Sequence, residues 1–186
     1  LPVGQLAPLG LVAFCGLFGE GAMGNWSAVY MRDVLLASPG TAAAGFAAFS
    51  MTMAAFRALG DGLLVRLGAV RLVRLGASVA TAGAALVVVG THALVVALGF
   101  ALIGAGLSSI FPITLAAAAR TPGAVPGRAL SVVSMCGYSG LLAGPPLIGT
   151  VADFTGLRGG LALVLVASAV MVVLSRVVRQ AESLAG

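Results

Sequence analysis

The sequence predicts an all-α membrane protein of six spanning helices, and three observations carry that prediction. Hydrophobic residues make up 60% of the 186-residue chain and charged residues only 8%, with a mean hydropathy of +1.15, whereas soluble domains carry roughly 25% charged residues. Apolar stretches recur at about residues 8–30, 41–65, 72–90, 93–119, 129–151 and 159–178, each close to or above the ~20 residues that cross a bilayer. Charge, proline and polar residues gather in the joints between them. Six such spans use up the chain, so residues 1–186 form one transmembrane domain with no room for a soluble one.

The first span carries a carboxylate, in the run Phe18-Gly19-Glu20-Gly21-Ala22-Met23-Gly24-Asn25-Trp26-Ser27. At ~1.5 Å per residue Glu20 lies roughly 18 Å in from Pro8, a little past the centre of a ~30 Å hydrocarbon core. Ionisable groups are costly there and are kept where they pair or do work. Glycines on both sides of Glu20 loosen the helix and let its backbone face a cavity, as transporter helices do at binding sites. Glu20 can accept hydrogen bonds from a polar solute, or take up and release a proton as the site changes exposure. Asn25 and Trp26, one and a half turns further out, offer an amide and an aromatic face suited to sugars and polyols. The competing reading makes Glu20 a helix-to-helix tie and Trp26, with Tyr30, an interface anchor.

The second span ends in Arg57-x-x-Gly60-Asp61-x-Leu63-x-x-Arg66-x-Gly68-x-x-Arg71. Arg57 and Asp61 share a helical face at i, i+4 and can neutralise each other, and Asp61 lies near Arg66 as the chain leaves the bilayer. The third span starts from the Arg71, Arg74 cluster. The fourth, 93–119, is longer than a crossing needs, and a bend near Pro112, which lacks a backbone donor, is the simplest accommodation. Ser108, Ser109 and Thr114 surround that proline. Their hydroxyls can face a solute or bond their own helix carbonyls.

The fifth span reads Gly137-Tyr138-x-Gly140-x-x-x-Gly144-Pro145-Pro146-x-x-Gly149, followed by Asp153 and Gly156-Leu157-Arg158. Small residues four apart let backbones approach closely, and a proline pair bends the helix that carries them. Gly137-Tyr138-Ser139-Gly140 also matches the Gly-x-Ser-Gly of rhomboid intramembrane proteases. Such an enzyme needs a histidine base within reach, and the sole histidine, His92, precedes the serine and falls in an outer joint. The sixth span closes on Arg176 and Arg179.

All ten basic residues are arginine. Basic residues are retained on the cytoplasmic side, and a chain that starts inside puts Arg66, Arg71, Arg74, Arg120, Arg128, Arg176 and Arg179 there. The outer joints then hold Arg32 and Arg158, near Asp33 and Asp153, and both termini are cytoplasmic. The net charge of +5 and sequence pI near 10.6 follow from this asymmetry and do not imply a nucleic-acid partner, because the arginines are spread over three joints. Cys15 and Cys136 lie inside spans and read as small apolar fillers, with no metal-ligand spacing. A chain without lysine has no phosphate-cradling Gly-x-x-x-x-Gly-Lys run. No cofactor, metal or catalytic centre is expected. The opening Leu1-Pro2-Val3-Gly4-Gln5, without Met or a basic run, reads as the start of a piece of something longer.

The Gly60, Asp61, Arg66, Gly68, Arg71 pattern resembles the joint signature of the major facilitator superfamily of secondary transporters, in the degenerate copy carried by the second half. It departs from that signature at Val65, where the acid is expected, and has Asp61 one turn earlier. The Gly144-Pro145-Pro146-x-x-Gly149 run resembles the eleventh helix of sugar-permease-like bacterial members. The resemblance covers nearly the whole chain and implies the C-terminal six-helix half of a bacterial inner-membrane permease, multi-pass in the lipid bilayer. It further implies a small-molecule solute, alternating access against an N-terminal six-helix half, Glu20, Asn25, Ser108 and Ser109 facing the central cavity, and a conformational lock at Arg57, Asp61, Arg66 and Arg71. A second reading is a non-transporting six-helix sensor or scaffold that keeps the half-fold. A second set of six spans encoded upstream of Leu1 separates the two.

Overall fold

A computed structural model describes residues 3–184. Helix α1 covers Val3–Asp33, α2 Pro39–Leu67, α3 Ala69–Val89, α4 Ala93–Leu107, α5 Ile110–Ala119 and α6 Pro126–Leu174, with a 3-10 run over Ser175–Leu184. Joints are short because their residues turn the chain sharply. Ser38 caps α2 by accepting a hydrogen bond from the Thr41 backbone N–H at 3.3 Å, and Pro39 presets the first helical φ. Gly68 turns α2 into α3 at φ 76°, a left-handed conformation that glycine adopts without strain, while its N–H still closes α2 on the Leu64 carbonyl.

Five continuous helical stretches among the described residues are long and apolar enough to cross a membrane, where six separate ones were expected. The difference lies in residues 126–174. Helical hydrogen bonding runs up to the turn at Gly156 with no irregular joint, and two helices meet there across a single residue at φ 75°. The chain doubles back at that point: a Cβ placed on Gly160 would touch the Ile148 carbonyl oxygen, at 2.7 Å, although one straight helix would separate the two residues by about 18 Å. Arg158 and Asp153, placed near each other by the sequence, form no ion pair among the described residues. Arg158 donates instead to the Gly90 carbonyl at 3.1 Å and ties this turn to the end of α3, leaving Asp153 exposed. Helical angles also continue through Pro145 and Pro146, so the proline pair does not break its helix.

Helix α1 lies at the centre, packed most extensively on α6, and most of its length is buried. That placement needs close backbones. A Cβ on Gly144 would lie 3.0 Å from the Phe18 carbonyl oxygen, and one on Gly140 would collide with the Phe14 carbonyl. Helices α3 and α4 meet the same way, Gly76 against Gly106 and Gly83 against Gly99. Tyr30, fully buried, ties α1 to the Val87 carbonyl of α3 at 2.8 Å.

Candidate functional site: a charged cavity between α1, α2 and α6

Glu20 and Asn25 of α1 line a cavity of about 930 Å³ together with Phe46, Ser50, Met53 and Arg57 of α2 and Leu142 and Pro145 of α6. Prolines shape one wall. Pro145 lacks the N–H that would hold the Leu141 carbonyl, and that oxygen sits where a Cβ on Gly21 would fall, at 2.5 Å. Only glycine fits there, which gives the glycine beside Glu20 a packing reason.

The wall carries one ion pair, Arg57 Nη2 to Glu20 Oε2 at 3.7 Å, with the two side chains 49% and 31% exposed. The two charges offset each other, which lowers the cost of holding either among apolar helices. A second proline positions the guanidinium. Pro112, near the start of α5, has no N–H to donate to the Ser108 carbonyl, the helix breaks at Ser108 and Ser109, and Arg57 Nε donates to that freed carbonyl at 3.3 Å. Arg57 therefore touches α1, its own helix and the α4–α5 break at once, with Met53 Sδ 3.7 Å from its Nη2.

The sequence-predicted residues are only partly gathered here. Arg57 faces Glu20 instead of Asp61, because the longer side chain reaches across to α1 and the Ser108 carbonyl. Asp61 is exposed and makes no ion pair among the described residues. With Arg57, Gly60, Ser108 and Ser109 it lines a smaller cavity of about 320 Å³. Ser108 and Ser109 are therefore placed apart from the Glu20 cavity, and the buried Ser108 hydroxyl donates to its own helix, to the Ala105 carbonyl at 2.8 Å. Arg66 and Arg71 are exposed at either side of the Gly68 turn. Trp26 turns away from the cavity: its indole N–H donates to the Pro145 carbonyl at 3.1 Å, and its ring covers Gly149. The Asn25 amide donates to the Gly21 carbonyl of its own helix at 2.9 Å. Ser139 donates to the Cys136 carbonyl at 2.7 Å, midway along the first arm of α6, while His92 stands in the joint between α3 and α4.

Phe46, Ser50 and Met53 were not among the predicted site residues. Their signal was a stripe on α2 at positions 46, 50, 53 and 57, leading to Arg57. The sole tryptophan allows a direct check of the α1–α6 tie. Trp26→Phe keeps a ring over Gly149 and loses one hydrogen bond, an expected cost of about 1 kcal/mol, or roughly 2–4 °C in thermal unfolding of the detergent-solubilised protein. A fall in solute affinity at unchanged unfolding temperature would instead make Trp26 a solute-stacking surface.

The sequence profile of the Major Facilitator Superfamily matches residues 9–185. The chain belongs to the Major Facilitator Superfamily. Superfamily members are membrane transporters and not enzymes, which closes the protease reading of Ser139. Among curated bacterial relatives, the membrane protein MosC of Rhizobium meliloti is 32% identical, over 87% of this chain and 40% of its own length. The uncharacterized transporter y4wD of Sinorhizobium fredii is 32% identical over 97% of this chain and 48% of its own length. The chain thus spans less than half the length of these relatives. In the same fold are a peptide transporter POT crystallised with sulfate, at a TM-score of 0.82 and 20% identity over 96% of this chain and 38% of that one, and the POT family transporter PepTSo, at 0.80 and 17% over 92% and 36%. This superfamily chain is a multi-pass membrane protein built on part of the transporter fold.

Proposed function

We propose that the chain is the C-terminal half of a secondary transporter for a small polar solute, crossing the membrane six times with the Gly156 turn as its last outer joint. The N-terminal half faces the cavity and completes it, and the two halves rock about the bound solute in alternating access. Both termini are cytoplasmic in this reading, on the strength of the arginine distribution, and the membrane is the bacterial inner one. The observation that carries it is the Glu20–Arg57 pair on a cavity wall.

A proton on Glu20 cancels its half of the pair and frees the Arg57 Nη2 for solute while its Nε stays on the Ser108 carbonyl. That gives the two protonation states different contacts, which coupling to a proton gradient requires. The conformational lock is proposed with revised pairings: Asp61, exposed beside the Gly68 joint where Arg66 and Arg71 stand, takes its partner from the other half. A sugar cargo is not carried into this proposal, since the Trp26 indole and the Asn25 amide that suggested it are engaged within the protein.

The test is uptake by the full-length protein in vesicles, across labelled sugars, polyols and dipeptides, with and without a pH gradient, for the natural sequence and Glu20→Gln. Uptake accelerated by the gradient in the natural protein and indifferent to it in Glu20→Gln is the expected result. Gradient-driven uptake that survives Glu20→Gln removes the proton role, and the absence of uptake for every solute favours the sensor or scaffold.

A further inference from the structure

Helix α2 separates the Glu20 cavity from a second, apolar one. Met53 and Arg57 face the first; Thr52, Phe56 and Leu63 face the second, a groove of about 540 Å³ closed on its other sides by Leu75 and Val79 of α3 and Leu98 of α4. Its floor is the close approach of Gly76 and Gly106, whose backbones pack directly on each other. It opens at the surface, where Phe56, Leu75 and Leu98 are each two-fifths or more exposed. Water gains nothing in such a groove, and leaving it empty forfeits the dispersion contacts of every residue along it. From Leu63 to Thr52 it runs about 16 Å, the depth of one leaflet of a ~30 Å core.

The end of the groove at the Gly68 turn is basic. Arg66 is in the last turn of α2, next to the lining residue Leu67. Arg71 lies one turn before Leu75 and two before Val79 on the same stripe of α3. Both guanidinium groups are exposed, and neither forms an ion pair or donates a hydrogen bond among the described residues. Arg74 differs: it donates to the Ser175 hydroxyl at 3.1 Å and is engaged within the protein. Two free planar forks at the membrane interface, above an apolar slot one leaflet deep, match a phosphate with an acyl chain attached.

We propose that this groove binds an anionic glycerophospholipid, with its phosphate on Arg66 and Arg71 and one acyl chain lying between α2, α3 and α4. The basic end accounts for the headgroup and the apolar length for the tail, and basic pockets between spanning helices are known acceptors of such headgroups. The site is independent of the solute cavity, so it stands or falls separately from proton coupling.

Lipid binding to the full-length protein in mixed micelles tests it, with phosphatidylglycerol and phosphatidylcholine of equal chain length read by native mass spectrometry. Phosphatidylglycerol is expected to bind more tightly, and the double variant Arg66→Gln, Arg71→Gln to weaken it roughly 30-fold, from about 1 kcal/mol per arginine. Arg176→Gln, an exposed arginine on another element, is expected to leave binding unchanged, and Leu98→Trp, which fills the slot, to lower it without altering charge. Equal binding of the two lipids, equal losses from Arg176→Gln and the double variant, or lipid-free protein with a second copy occupying the groove would each overturn the proposal.

Discussion

Replacing Arg57 by alanine is expected to cut gradient-driven uptake by roughly 5- to 150-fold, the span of typical coupling energies between sites, while costing the fold much less. The pair with Glu20 is about half exposed on the arginine side, and ion pairs in that setting contribute little stability. The Ser108 carbonyl is the larger structural loss. It has no N–H from Pro112 to return to, so the variant gives up one charge-assisted hydrogen bond, about 1.5–3 kcal/mol. Uptake in vesicles and thermal unfolding, measured on the same preparations, separate the two effects. Combining Arg57→Ala with Glu20→Gln should cost little beyond the worse single variant, because both remove the same interaction. Strict additivity would mean that the two residues act apart, and the cavity pair would lose its assigned role.

Gly83→Val is expected to destabilise the bundle by about 3 kcal/mol or more, at the upper end of overpacking costs. Its Cβ would lie 2.5 Å from the Gly99 carbonyl oxygen and 2.9 Å from the Ile103 nitrogen, and both are backbone atoms that no rotamer change can move. The valine branches add further atoms to a contact already closed. Gly62→Ala is the matched comparison: it sits inside α2 with nothing within 4 Å of the new Cβ, so reduced chain entropy should leave stability unchanged or raised by about 0.5–1 kcal/mol. Unfolding temperatures in detergent check both. A harmless Gly83→Val would mean that α3 and α4 can separate at this level.

The two variants mark the limits of what the sequence discloses. Arg57 was legible as a charge near the end of an apolar run, and Glu20 as one in mid-membrane, because hydropathy reports directly on the cost of burying charge. Their pairing was not. Helical periodicity favours Asp61, four residues from Arg57, since the only distances a sequence encodes are those along one helix. Glu20 lies on another helix, and its approach to Arg57 depends on how α1 and α2 cross. The Ser108 carbonyl is an intermediate case. That Pro112 leaves it without an intrahelical donor follows from the sequence; that an arginine of α2 takes the vacancy does not.

Trp26 shows the same division. Its place one and a half turns beyond Glu20 suggested a ring at the cavity, but the angle at which α1 meets α6 sets that ring over Gly149 and its N–H on Pro145. Gly140, Gly144 and Gly149 stood out by their spacing, whereas Gly76, Gly83, Gly99 and Gly106 did not, since each helix carries only two of them and the pattern exists only when the helices are set antiparallel.

By itself the sequence determined the membrane class, the apolar stretches and most of their joints, the resemblance to superfamily transporters and the presence of one carboxylate, Glu20, within the first apolar stretch. Those properties follow from composition and from periodicities local to one helix. Only the tertiary structure decided the partner of Arg57, the residues that share a cavity with Glu20, the uninterrupted helical path into the Gly156 turn and the groove behind α2. Each of these depends on the crossing and spacing of helices distant in the chain, and that geometry is set by the packing of many small contacts together.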